Sequence, residues 1–514
     1  MSGPSAPSAS TKPGTKVPGL SVRDLTASIV VFLVAMPLCM GIAIASGVPP
    51  EKGLVTGIIG GIVVGFLAGS PLQVSGPAAG LAVIIFEFVR DHGLSALGPM
   101  LVIAGLIQFV AGVARLGGLF RAVSPAVVHG MLAGIGALIV AGQFHILFDA
   151  KPMSNGLANL SAMPGRVLGL NFADAHSTEI ALGLGLLTIG VMLAWEKFRP
   201  ASLKLVPGAL LGVVAATAVA ASLGLQVARI SVPESISAAF AMPGTDFFGP
   251  ILANPAIATA AIAIAFIASA ETLLSAAAVD RMHDGVRTDY NKELRAQGVG
   301  NLLCGLVGAL PMTGVIVRSS ANVQAGAQTR ASAILHGVWI LALVALLPWV
   351  LREVPMAALG GILVVTGWRL ISLKHVRHLF ENYGPIPAGI WAATFALVVT
   401  TDLLTGVLVG LGLSLIEVVP HISRLKLGIE QGAHGEARLV RLSGAATFLT
   451  LPRLTRALEE VPADKPVHLD LDSLAGLDHT SAEMLGEWLG RRRRAGLAAS
   501  VSGREEMVRT FAHA

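Results

Sequence analysis

Charge is what this sequence has least of. Only 13% of its 514 residues are Asp, Glu, Lys or Arg, against roughly a quarter in a soluble domain. Hydrophobic residues make up 54%, and the mean hydropathy is +0.74. That balance excludes an ordinary soluble domain. Cysteine is nearly absent too: Cys39 and Cys304 both fall within apolar runs, which excludes a disulfide framework and a thiolate metal site. No P-loop, HExxH, zinc spacing or nucleophile elbow is present, so no enzyme, cofactor or metal is expected. No cleavable signal is read, because the first apolar run is a full span behind a polar tail. A pI near 9.4 could suit nucleic acid. The basic residues, however, sit in short loops between apolar runs, which is a topology signal, and no nucleic-acid partner is expected.

What is present is a series of apolar segments, most of them long enough for a hydrocarbon core of ~30 Å. About fourteen are read, at 27–48, 54–69, 74–89, 99–114, 124–147, 178–195, 205–224, 257–279, 296–310, 314–327, 331–350, 355–372, 386–402 and 404–420. The chain is therefore read as an α-helical polytopic membrane protein. Residues 1–20, rich in Ser, Pro, Gly, Thr and Lys, are expected to be a disordered tail. Residues 21–425 form the transmembrane domain, and 436–514 a small α/β domain. Arg115, Arg121, Lys197, Arg199, Lys204, Arg281, Arg287, Lys292, Arg295, Arg369, Lys374, Arg377, Arg424 and Lys426 follow even-numbered segments. The opposite loops carry fewer basic residues, so both termini and the α/β domain are expected in the cytoplasm.

The stretch from Ser269 to Arg330 carries the chemistry. Glu271 lies inside an apolar segment with Thr272 and Ser275 nearby. Pro311-Met312-Thr313-Gly314 then breaks the chain ahead of Arg318, Ser319, Ser320 and Asn322. Ionisable groups at membrane depth cost a few kcal/mol or more and mark ion pathways. Seven segments earlier, Ser75-Gly76-Pro77-Ala78-Ala79-Gly80 makes a similar Gly/Pro-broken entry to a short helix. Matching interrupted segments in two halves point to a transporter site between inverted repeats. Two half-helices with facing N-termini would form an anion site from backbone N–H groups.

Asn291-Lys-Glu-Leu-Arg-Ala-Gln-Gly-Val-Gly-Asn301, Arg318-Ser-Ser-Ala-Asn-Val-Gln-Ala-Gly326 and Ser75-Gly-Pro77 resemble signatures of the sulfate permease family (SulP, solute carrier family 26). The segment from Ala437 onward resembles its STAS domain. The resemblance implies a seven-plus-seven inverted repeat divided into core and gate domains, an elevator-like displacement of the core, and a homodimer in the cell (inner) membrane, in contact with lipid. It implies an anion site lined by Ser75, Gly76, Pro77, Ala78 and Ala79 on one side. Gly314, Val315 and Ile316 lie on the other, with Arg318 adding positive potential. Glu271 and Ser275 take the coupling positions. Ile316 stands where sodium-dependent bicarbonate members have a threonine, and Leu38 follows Pro37 where a glutamine is common. A hydrocarbon side chain cannot ligate sodium, so a proton on Glu271 is the expected coupling ion.

The expected function is secondary transport of a small inorganic anion, sulfate or bicarbonate, coupled to protons through Glu271 or running as anion exchange. The alternatives are a channel-like anion conductor, a sodium-coupled bicarbonate symporter and a STAS-based membrane signalling scaffold. Arg318 could also bridge to Glu271. His129 and His145 are read as packing or hydrogen-bonded residues, Asp402 as interfacial, and Arg491 to Arg494 as a solvated helix end, the lipid-binding reading being secondary. In Asp478-His-Thr-Ser481, His479 occupies the place of a phosphorylatable serine.

Overall fold

The computed structural model describes residues 21–418 and 427–511, except 121–123, 154–155, 172–176, 204–205, 231–239, 241–242, 281, 284, 372–375, 378–379, 382–383, 435–436, 448–449, 463–464, 495, 505–506 and 509–510. The 1–20 tail and the basic positions Arg121, Lys204, Arg281, Lys374, Arg424 and Lys426 lie outside the described residues.

Each expected apolar segment coincides with a helix. The first half comprises α1 (Val22–Ala45), α2 (Pro50–Leu67), α3 (Ala82–His92), α4 (Leu97–Val113), α5 (Pro125–Leu147), α6 (Gly156–Leu168), α7 (Ser177–Phe198) and α8 (Gly208–Ser222). The second comprises α9 (Ala256–Asp280), α10 (Tyr290–Leu306), α11 (Ile316–Gln324), α12 (Ala331–Leu346), α13 (Met356–Leu370), α14 (Pro385–Thr400) and α15 (Leu403–Val418). Six described helices are long and apolar enough to cross a membrane, and five shorter apolar ones accompany them. Helix α6 was not anticipated. Its sequence GLANLSAMPGRVL mixes polar residues with only intermittent apolar ones, so no continuous run betrays it.

Two segments are half-helices preceded by strands. Strand β1 (Ser75–Pro77) leads through a turn at Ala79–Leu81 into α3, and β2 (Met312–Gly314) leads into α11. The strands pair antiparallel, Ser75 opposite Gly314 and Pro77 opposite Met312. Proline and glycine at both places stop the preceding helices, and extended backbone in hydrocarbon must find hydrogen bonds within the protein.

Packing repeats with a shift of seven segments. Helix α4 lies on α10 as α12 lies on α2; α1 lies on α12 as α9 lies on α4. Likewise α5 packs on α14 as α13 packs on α7, and α7 on α8 as α14 on α15. This swapped pairing is the signature of an inverted repeat. It divides the helices into a core group, α1–α4 with α9–α12, and a gate group, α5, α7, α8 and α13–α15. Contacts of α1 with α8 and α13, and of α3 with α5, join the groups. Small residues allow the closest approach: Cβ atoms added at Gly105 and Gly298 would fall 2.4 and 2.5 Å from backbone nitrogens of α10 and α4, respectively.

The C-terminal region is an α/β module with its own hydrophobic core, including Val440, Leu454, Leu469, Leu485 and Trp488. Its elements are β3 (Gly428–His434), β4 (Ala437–Ala446), α16 (Leu451–Glu459), β5 (Val467–Asp470), β6 (Leu474–Leu477), α17 (His479–Arg494) and β7 (Ala499–Ser502). The strand order is β3-β4-β5-β7, with β6 beside β4 and β3 the antiparallel edge. The sheet thus takes in β3, ahead of residue 436, where glycine and polar residues mask the strand pattern. The expected solvated arginine run is corrected in part. Arg492 is buried, donates to the carbonyls of Val461, Pro462 and Lys465, and stacks on Trp488. The side chains of His479, Arg491 and Arg494 lie outside the described residues.

Candidate functional site

The β1–β2 crossing sits inside the core group, and a polar stripe on α10 holds it there. Asp289 caps α10 by accepting from the N–H groups of Asn291 and Lys292 (3.1 and 2.9 Å). From that start, Glu293, Gln297 and Asn301 recur every fourth residue and share one face. Glu293 accepts from the Gly69 and Ser70 N–H groups at 2.8 and 2.9 Å, fixing the chain ahead of β1. Gln297 donates to Ser75 Oγ at 2.6 Å and to Glu293 at 3.0 Å. Asn301 grips β2 with two bonds: its amide donates to the Met312 carbonyl (3.0 Å) and its oxygen accepts from the Met312 N–H (2.7 Å).

Other side chains complete the clamp. Gln73 donates to the Thr272 carbonyl (3.1 Å), and the Thr272 hydroxyl accepts from the Gly314 N–H (3.2 Å). The Gln73 amide lies so close over Gly314 that an added Cβ would sit 1.3 Å from Nε2. Ser319 accepts from the Val74 N–H (2.9 Å), and Asn322 donates to the Leu72 carbonyl (3.0 Å). Thr56 both donates to and accepts from the backbone of Leu310. Beside the crossing, α2 contains one π-turn at Gly60–Val64; a Cβ on Gly60 would fall 2.6 Å from the Ser75 carbonyl oxygen.

At the crossing, two helix N-termini open without a side-chain cap. The turn at Ala79–Leu81 starts behind Ala78, and α11 starts behind Val315. Their first N–H groups carry the positive end of each helix. Arg318, in the first turn of α11, is wholly buried, and among the described residues none of its three side-chain nitrogens has a partner in hydrogen-bond geometry. Its Nη1 would lie 2.0 Å from a Cβ on Gly76, so only glycine admits the guanidinium against β1. The Cys39 thiol, at most a weak acceptor, and the His336 ring lie near it. An unpaired guanidinium in a buried setting is costly unless an anion joins it.

The expected residues therefore divide. Gly76, Pro77, Ala78, Gly314, Val315 and Arg318 meet at the crossing, with Ala79 starting the turn above it. Ser75 is there as well; its oxygen accepts from Gln297 and its O–H stays available to give. Ile316 is the first residue of α11 and is exposed. Glu271 does not pair with Arg318 among the described ion pairs, so the bridge between them is corrected. Its carboxylate instead reaches the other half-helix, where it accepts from the Gly80 N–H and keeps Oε2 unpaired. A Cβ on Gly80 would lie 2.8 Å from that oxygen. Ser275, one turn further along α9, is buried. His145 bonds the Asn159 carbonyl (3.1 Å), as a packing residue should. Asp402 caps the start of α15 by accepting from Thr405 N–H and Oγ1.

The task of the α10 stripe, holding β1 and β2 in place, is set by the tertiary structure. The signal is three polar side chains at four-residue spacing, running from the polar start of the helix into its apolar second half.

An integral membrane protein built as two intertwined seven-segment repeats, each contributing a half-helix to a central polar crossing, has the architecture of a secondary transporter. The chain belongs to the Sulfate permease family, whose profile matches residues 22–394. It is 30% identical over 514 aligned residues to the putative sulfate transporter YvdB of Bacillus subtilis, covering 96% of this chain and 93% of that protein. It is 25% identical to the bicarbonate transporter BicA of Picosynechococcus, covering 78% and 71% of the two chains. Among solved structures, the transmembrane domain of a cyanobacterial BicA superposes with a TM-score of 0.65 at 23% identity, over 75% of this chain and 96% of that one. SLC26A9 superposes with a TM-score of 0.67 at 14% identity, over 95% and 85%.

Proposed function

We propose that the protein transports sulfate or bicarbonate across the membrane, with the anion held between the N-termini of α3 and α11. The observation that carries this reading is the Arg318 guanidinium, buried and unpaired at the crossing of two uncapped helix starts. Helix N-termini favour anions through their free N–H groups and their dipole. The relatives named sulfate and bicarbonate transporters agree with that choice of charge and size. The core group carries both half-helices and would move as one body against the gate group, in an elevator-like displacement. Basic residues after even-numbered segments, such as Arg115, Lys197, Arg199, Arg287 and Arg369, orient the termini and the α/β module toward the cytoplasm. The module resembles a STAS domain.

Glu271 would supply the coupling. Its carboxylate sits on the Gly80 N–H, one of the donors at the start of α3. Ionised, it occupies that positive end and repels an incoming anion; protonated, it yields the end and cancels part of the moving charge. Sodium has little to hold it near α11, because Ile316 offers no oxygen.

The test is uptake of radiolabelled sulfate and bicarbonate by proteoliposomes under imposed proton or sodium gradients. An inward proton gradient should drive accumulation in the wild type and lose that effect in Glu271→Gln, while anion exchange persists. Accumulation driven by sodium alone would overturn proton coupling. Flux indifferent to both gradients and to the substitution would make the protein an exchanger or a channel-like conductor.

A further inference from the structure

A second carboxyl group faces the boundary between the two helix groups, away from the crossing. A cavity of about 40 Å³ lies there, lined by Ala45, Val83 and Glu87 of the core group, by Gln143 of the gate group, and by Met153 and Asn159 next to it. Ala45 ends α1 and Gln143 lies in the last turns of α5. The cavity is therefore at the membrane face toward which both helices run.

Gln143 is 2% exposed, and among the described residues its Oε1 has no hydrogen-bond partner. A buried amide oxygen without a donor is destabilising, so the site favours any group that can donate to it. The cavity wall that α3 supplies has one group able to become such a donor, the Glu87 carboxyl, and only when it carries a proton. The space is large enough for about one water to relay the bond.

We propose that Glu87 and Gln143 form a proton-binding site that latches the core group to the gate group. Protonated Glu87 donates to Gln143 Oε1, directly or through one water, and joins α3 to α5 across the boundary. Ionised Glu87 offers that oxygen only repulsion, so losing the proton frees the two groups to part at this face. The groups that bear on Glu87 are Arg90 and Asp91 on its own helix and Asp402 ahead of α15. From α5 comes His145, held on the Asn159 carbonyl; the half of α1 beside α3 (34–45) carries no charged side chain. Glu271 reaches the far end of the segment at Gly80. The site is distinct from Glu271, and its meaning as a latch rests on the transporter reading above.

The test labels the full-length protein in lipid vesicles with dicyclohexylcarbodiimide, which modifies protonated carboxyl groups in apolar surroundings, and follows the Glu87 peptide by mass spectrometry across pH. Labelling should fall as pH rises through one midpoint. Gln143→Leu should move that midpoint down by about one pH unit, a tenfold loss at fixed pH, because the neutral form loses its acceptor. In protein bearing Ala45→Cys, reaction with a membrane-impermeant thiol reagent should slow at least fivefold on acidification, and lose this dependence with Gln143→Leu. A midpoint unmoved by Gln143→Leu, no pH-dependent labelling of Glu87, or labelling suppressed by sodium at constant pH would each overturn the proposal. The labelling does not depend on flux: a protein that moves no anion yet shows the shifted midpoint refutes the transport reading alone.

Discussion

The core and gate groups solve different problems with the same lipid-like composition. In the core, extended backbone crosses at membrane depth, and nearly every turn around it carries a polar side chain aimed at a backbone group, Thr56, Gln73, Thr272, Glu293, Asn301, Ser319 and Asn322, with Gln297 tying Glu293 to the Ser75 hydroxyl. The gate is made of helices that satisfy themselves. Its buried Thr394 bonds a carbonyl of its own helix, Thr188 shares its hydroxyl between its own helix and the Gly212 carbonyl of α8, and its close contacts run from glycine to backbone, as between Gly136 and the Gly367 carbonyl. Polar groups in this membrane domain therefore follow broken backbone. Where helices are whole, small residues suffice.

The contrast can be broken at its tightest point first. Gly314→Ala places a Cβ where the Gln73 amide already sits. The chain must move or Gln73 must let go of Thr272, and overpacking of this kind costs about 1–3 kcal/mol or more. Uptake in proteoliposomes should fall at least tenfold while the protein still inserts and elutes as a single species. Wild-type uptake would remove the crossing from function.

A paired comparison sharpens it. Asn301→Ala strands both polar groups of Met312, at about 1–3 kcal/mol for each buried group left unpaired. Thr394→Val in the gate removes a bond to a carbonyl of its own helix and should cost under about 1 kcal/mol. Thermal unfolding in detergent should show a drop of several degrees for the first and little for the second. Equal drops would mean that the two groups are stabilised alike.

The smallest effect belongs outside the membrane, where water competes. In the α/β module, the Arg441 guanidinium donates to Asp470 at 2.8 Å and holds that carboxyl below its ordinary value. A lowered folded value stabilises the module fully above the unfolded carboxyl range, near pH ~3.9. That contribution is lost as pH falls through the folded value. Acid titration of the module's unfolding should therefore be steeper in the wild type than in Arg441→Ala below pH ~4. Identical titrations would leave the pair without a stabilising role.

Much was legible before any coordinates. The apolar runs placed all the segments, because a helix that must bury every backbone group in hydrocarbon needs about twenty apolar residues and little else. Pro77 and Pro311 with their glycines marked the two breaks, since neither residue type continues a helix cheaply. Helix α6 and β3 were missed because short amphipathic elements leave no such run.

The sequence by itself determined the number and placement of the membrane segments, the two broken entries and the presence of one acid and one arginine near them. Those properties are local, written in residue type and spacing. Only the tertiary structure decided which charges meet. Glu271 went to the Gly80 N–H rather than to Arg318, Ser75 was claimed by Gln297, and Glu87 and Gln143 came to line one cavity at the group boundary. Each outcome depends on segments tens to hundreds of residues apart in the chain coming together in the fold. Spacing along one helix cannot specify that.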